Sequence, residues 1–157
     1  MTFISTKLIL LGAIVISAFA QNITVTFTDG PGCGGSATPA FAATTLDSMV
    51  SVAVAPGGAG GASRPQVSDI GLGKKSDDCS VSLYNLIFTG RIVRSVVISM
   101  RGAGNREALR LTLSDVLVSS ITETAAGERA TLFYSRIEIF DPQTGQRATY
   151  DRRPGGA

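Results

Sequence analysis

At 157 residues, 44% of them hydrophobic and 17% charged, the chain has room for one domain with an ordinary core and little else. A net charge of +2, with no basic stripe interleaved with aromatic residues, argues against a nucleic-acid partner. The absence of histidine removes Ser-His-Asp and Cys-His nucleophile systems and most zinc hydrolase sites.

The chain opens with a positive residue, Lys7, then an apolar run from Leu8 to Phe19, then the small-x-small site Ala18-Phe19-Ala20. This is the pattern of a signal peptide, residues 1–20, with cleavage after Ala20 leaving Gln21 first. The run is too short to span a membrane comfortably, and no cysteine follows the site to carry a lipid. The expectation is a secreted or periplasmic protein with no membrane contact once the leader is removed. An uncleaved anchor is the alternative.

Asn22 to Thr28 places Ile23, Val25 and Phe27 on one face, which predicts a half-buried strand. Asp29-Gly30-Pro31-Gly32 ends it, and a loop runs through Cys33 to Pro39. Phe41 to Val54 reads as a second strand region, with Val50, Val52 and Val54 on one face. Pro56-Gly57-Gly58-Ala59-Gly60-Gly61-Ala62-Ser63-Arg64-Pro65 is a flexible connection, because glycine relieves steric restraint on the backbone. It is not a phosphate loop: no Gly-Lys-Ser/Thr follows, and strand-like sequence flanks it.

Val67 to Gly73 predicts a third strand, and Lys74-Lys75-Ser76-Asp77-Asp78 a solvated charged turn. A helix follows over 80–89, with Ser80 as N-cap, Leu83, Leu86 and Ile87 at helical spacing, and Gly90 just past its end. The next strand aligns Val96, Ile98 and Met100; a hairpin loop at 101–106 leads to Leu109, Leu111 and Leu113. Beyond Asp115 the apolar phase slips to Val116 and Val118, which predicts a bulge or bend. After a loop at 124–128, Phe133, Ile137 and Ile139 alternate with Tyr134, Arg136 and Glu138. Thr149-Tyr150 pairs briefly before a flexible tail, residues 151–157, in which Arg152-Arg153 is solvated. Residues 21–150 thus form one mainly β domain, antiparallel, in a sandwich or barrel with one short helix.

Cys33 and Cys79 are the only cysteines. In an exported chain an even pair points to a disulfide, with two free thiols as the alternative. Two cysteines are too few for a structural zinc site. Asp115 and Glu138 lie within apolar strands and read as solvent-facing or bulge positions, and the adjacent Asp77 and Asp78 lack the other ligands of a calcium loop. This inventory predicts no enzyme, no cofactor and no metal.

Several pieces stand in a shared order: the glycine-rich stretch before Pro65, Ser68-Asp69-Ile70 followed by Lys74-Lys75-Ser76-Asp77, the helix ending Thr89-Gly90, and Leu113-Ser114-Asp115-Val116-Leu117-Val118. In this order, over about Leu46 to Phe140, the chain resembles the Hcp family, the haemolysin-coregulated proteins that form the tube of type VI secretion. The resemblance implies a compact two-sheet antiparallel β-barrel with one flanking helix. It implies hexameric rings that stack into a hollow tube, so the first partner is the chain itself, with protein cargo or secretion machinery beyond it. It implies that Pro56 to Pro65 is the extended loop that reaches a neighbouring ring. Ordinary members carry no leader, so this chain reads as an exported variant. A secreted monomeric binding module or effector-like protein, with no tube role, is the alternative.

Overall fold

The computed structural model describes residues 14–15, 22–30, 32–33, 35, 40–51 and 65–153. Its strands are β1 (Ile14–Val15), β2 (Asn22–Phe27), β3 (Ala40–Ala43), β4 (Thr45–Asp47), β5 (Met49–Ser51), β6 (Gln66–Val67) and β7 (Ile70–Lys74). The helix α1 (Ser80–Thr89) separates these from β8 (Val93–Arg101), β9 (Glu107–Thr124), β10 (Gly127–Phe133), β11 (Arg136–Phe140) and β12 (Arg147–Asp151). Of the expected leader, only the Ile14–Val15 backbone falls within the described residues, where it pairs with β5. Among the described residues no helix is long and apolar enough to cross a membrane.

Every strand pairing among the described residues is antiparallel. The main sheet runs β3-β2-β8-β9-β10-β7-β4, with β11 and β12 branching from β9. Its two ends, β3 and β4, are consecutive in the chain and separated only by Thr44. Thr44 donates its N–H to the Gly73 carbonyl (2.7 Å), which swings the chain from β2 onto β7. One bent segment therefore closes the circuit, and the expected antiparallel barrel follows. The strand expected over 41–54 is thus three short strands, because its pieces answer to three different neighbours. Val52 and Val54 lie outside the described residues.

β9 belongs to both halves of the barrel. Up to Val116 it pairs with β8 and β11, and from Leu117 onward with β10. The change occurs at Asp115, a non-glycine residue at φ 52°. This left-handed residue explains why burial passes from Leu111 and Leu113 to Val116 and Val118, as the phase slip in the sequence predicts. Ser135, between β10 and β11, donates to the Asp115 carboxylate (2.8 Å), so two chain irregularities face each other at one corner.

That corner also corrects the last strand. Phe133 is 44% exposed and Tyr134 is wholly buried, the reverse of the expected alternation. The strand is interrupted at Ser135, whose N–H bonds the Ser114 carbonyl, so Leu132 and Tyr134 share the inward phase and Ile137 resumes it one residue late. β12 pairs with β11 over five positions, Arg136 against Asp151 through Phe140 against Arg147, more than the brief pairing expected.

The core fills the barrel with Val25, Phe27, Leu72, Val96, Ile98, Leu113 and Leu132, each at most 1% exposed. Burial of each such side chain contributes roughly 1.5–3 kcal/mol before entropy is counted. Leu83 and Leu86 of α1 join this core, and the helix lies against β9. Gly90 ends the helix at φ 59°, returning its N–H to the Ile87 carbonyl. At the other end Cys79, not Ser80, is the N-cap, and it makes no side-chain cap bond. Asp77 takes that role in part, accepting the Cys79 N–H at 2.9 Å.

Candidate functional site

Residues 56–64, the expected ring-stacking segment, lie outside the described residues; Pro65 is described and exposed. β5 and β6 pair across the segment, Val50 with Val67 and Ser51 with Gln66. Immediately beyond, the chain from Pro65 to Asp69 is bonded to Tyr134 and to the end of β12. The Tyr150 hydroxyl donates to the Pro65 carbonyl (2.8 Å), and the Tyr134 hydroxyl to the Ser68 carbonyl (2.9 Å). Arg152 donates to the Val67 carbonyl and to the Asp69 carboxylate (2.7 Å). Its guanidinium stacks over Tyr134 at 4.2 Å and Phe133 at 5.2 Å. Arg152 is therefore not in a solvated tail: the aromatic pair and the Asp69 charge draw it back onto the barrel. Burial, opposed in part by the Arg152 charge, pushes the Tyr134 phenol up to about 12.

The second feature sits at the helix N-terminus. Cys33 and Cys79 are joined as a disulfide, with their α-carbons 4.7 Å apart, the pairing expected of the two cysteines. Ser82 adds a bond to the Gly32 carbonyl (2.8 Å), so the loop after β2 is held to the first turn of α1 twice. Replacing both cysteines by serine is expected to lower stability by up to about 4 kcal/mol on the chain-entropy model and to keep the fold. Urea denaturation of the oxidised wild type against the double variant checks this; equal midpoints would show the link to be energetically idle.

Beside the disulfide, Lys74 corrects the expectation of a solvated charged turn. It is 1% exposed, and its ammonium group reaches Glu128 (3.1 Å), Asp77 (2.8 Å), the Ser80 hydroxyl (3.0 Å) and the Lys75 carbonyl (2.8 Å). It also lies 5.5 Å from the Phe41 ring centroid. Glu128 is buried too. Burial alone would raise its carboxyl, but hydrogen bonds from Ser80 and Lys74 and the Lys74 charge outweigh this and hold it below the ordinary glutamate range. Gly127 makes room for the arrangement: at φ 129° it lies against the Lys74 backbone carbonyl, where any β-carbon would collide. Among the described residues no group of three metal-ligating side chains is present.

The third feature is the outer face of α1. Val81 (69% exposed) and Phe88 (79%) point to solvent, with Ile92 (60%) just beyond the helix and Tyr84 tilted against Phe88 at 6.0 Å. Tyr84 donates to Glu123 of β9 (2.6 Å), which fixes the helix orientation and raises the phenol's pKa. Sequence reading assigned no role to Lys74, Glu128, Arg152 or the helix face.

The family profile described as "Type VI secretion system effector, Hcp" matches residues 42–140. No curated protein matches the chain. Among solved structures, the chain is similar to Hcp1 from Escherichia coli EAEC 042, at 13% identity, 84% coverage of this chain and 99% of that one, and a TM-score of 0.69. It is similar to Hcp3 from Pseudomonas aeruginosa, described as a secreted protein, at 14% identity, 84% and 99% coverage, and a TM-score of 0.61. It is also similar to a chain in the six-fold symmetrised baseplate of the anti-feeding prophage, at 14% identity, 79% and 95% coverage, and a TM-score of 0.51. At such identities these likenesses concern the fold. The profile match spans well over half of the chain and includes β4, β7, α1 and β8 to β11, the elements that build the barrel and its flank. The chain belongs to the Hcp family of type VI secretion.

Proposed function

We propose that the chain is an exported Hcp-type structural subunit, not an enzyme. Cleavage after Ala20 gives a mature protein starting at Gln21, six copies close into a ring, and rings stack through residues 56–65. The family match over 42–140 carries this reading. The six-fold setting of the baseplate relative supports the ring number. The disulfide between Cys33 and Cys79 suits a secreted or periplasmic life. Closed cyclic symmetry is the usual way in which copies of one chain satisfy each other's surfaces, and it would cover sheet edges such as the outer side of β12.

Protein taken from its native compartment tests the reading. Its intact mass is expected to lack residues 1–20, light scattering to give a closed hexamer, and negative-stain microscopy to show rings and tubes. Deleting Gly57 to Gly61 is expected to leave rings and abolish tubes. A strictly monomeric protein at high concentration would overturn the assembly. In that case the exposed apolar side chains of Val81, Phe88 and Ile92, on and just beyond α1, favour the second reading, a secreted monomer that binds a protein partner.

A further inference from the structure

We propose that Arg152, with Tyr150 and Asp69, is a positioning clamp through which the C-terminal strand fixes the course of residues 65–69, and so governs ring stacking. The inference rests on the stacking reading above. Among the described residues, β5 pairs with β6 at Val50–Val67 and Ser51–Gln66. Holding residues 65–69 to one course costs conformational entropy, which bonds from elsewhere in the barrel must offset. The clamp supplies such bonds. Within five residues, Tyr150 bonds the Pro65 carbonyl and Arg152 bonds the Val67 carbonyl and the Asp69 carboxylate, while Tyr134 beneath them bonds the Ser68 carbonyl.

Arginine suits this task in a way lysine does not. Its planar fork addresses a carbonyl and a carboxylate at once while its face rests on Tyr134, whereas an ammonium group is a point charge. The backbone N–H of Arg152 bonds the Ser135 carbonyl (2.8 Å), which fixes the residue just past β12. Arg152 is itself no part of the apolar core. What it orders is the direction of the chain between the segment and β7. Arg153, its neighbour, turns away to Asp151 and serves as the control.

The mature full-length chain carrying Arg152→Ala, Arg152→Lys, Asp69→Asn or Arg153→Ala is compared with wild type by hydrogen exchange and negative-stain microscopy. In Arg152→Ala the peptide covering 65–69 is expected to exchange faster by on the order of ten-fold, from the loss of charge-assisted bonds, while peptides of β8 and β9 stay protected. Arg152→Lys is expected to behave nearly as alanine, and Arg153→Ala as wild type. Rings are expected to persist in all four, with tubes lost or shortened in both Arg152 variants. Unchanged exchange over 65–69 in Arg152→Ala overturns the clamp, and faster exchange with normal tubes overturns its control of stacking. Should Arg152→Ala fail to fold, Asp69→Asn decides by the same readouts, because it removes the ion pair and leaves the core intact. Wild-type rings that never stack sink the stacking reading and, with it, the control of stacking; the exchange result still decides the clamp.

Discussion

Leu111→Asp is expected to leave no cooperatively folded protein, whereas Arg110→Asp, one residue away, should fold. Leu111 is 2% exposed in the middle of β9, directly between Ile98 of β8 and Ile139 of β11. An aspartate there would have apolar neighbours on both sides and no charged or hydrogen-bonding partner. Burying an unpaired polar group costs several kcal/mol, and an ionised one more, so the carboxyl would be driven toward its neutral form. Added to the lost leucine packing, this consumes most of the 5–15 kcal/mol of a typical domain. Arg110 points outward, where it pairs with Glu107 and lies 5.8 Å from the Phe140 ring centroid. Reversing its charge would lose that pair and repel Glu107, at a cost of about 1 kcal/mol for a solvent-exposed site. Circular dichroism and urea denaturation of the two variants check the contrast. Equal damage from both would contradict this strand phase, and the reverse order would mean that it is inverted, since a one-residue slip exchanges the two faces.

The sequence carried the parts of the fold that depend on local alternation. Ile23, Val25 and Phe27, then Val96, Ile98 and Met100, then Leu111 and Leu113 are buried as a period of two requires. The slip at Asp115 was legible for the same reason, because a left-handed residue must shift the apolar phase. Gly90 marked the helix end, and the even cysteine count marked the Cys33–Cys79 link. The barrel corner at Thr44 was not legible. It exists because β3 pairs with β2 and β4 with β7, and those partners are far away in sequence. Arg152 was hidden likewise, since its ion-pair partner Asp69 lies 83 residues back. Composition placed it in a tail, while the attraction that holds it depends on the folded Tyr134 and Asp69.

Lys74 and Glu128 are the instructive case, because each half of the signal was present. Ile70, Leu72 and Lys74 share one phase, and Glu128, Ala130 and Leu132 share another. Alternation alone turns both charges inward; the usual exposure of charged residues turns them outward. Neither argument decides. The register does, since β10 sets Glu128 directly opposite Lys74. A charge buried opposite its counter-charge, with Ser80 and Asp77 alongside, is acceptable where a lone one is not.

Removing one member of that pair should therefore be far worse than removing both. Lys74→Met is expected to cost about 3–5 kcal/mol, because it strands the Glu128 carboxylate in the interior, and Glu128→Leu to cost less, because Asp77, Ser80 and the Lys75 carbonyl still meet the ammonium. The double variant Lys74→Met/Glu128→Leu should recover most of the loss, since apolar groups of similar volume often replace a buried pair at no net cost. Asp77, about half exposed, can rehydrate when Lys74 is gone. Urea denaturation of the four proteins closes a double-mutant cycle. Acid titration supplies a second, independent sign. The Glu128 carboxyl is held below its ordinary value in the folded state, so its contribution to stability is fully present above the ordinary glutamate range. It is lost as the pH falls through the depressed folded value. Wild type should therefore lose stability in acid more steeply than the double variant, which lacks this group. Single substitutions whose costs simply add, with parallel acid profiles for wild type and double variant, would show that Lys74 and Glu128 are neighbours without being coupled.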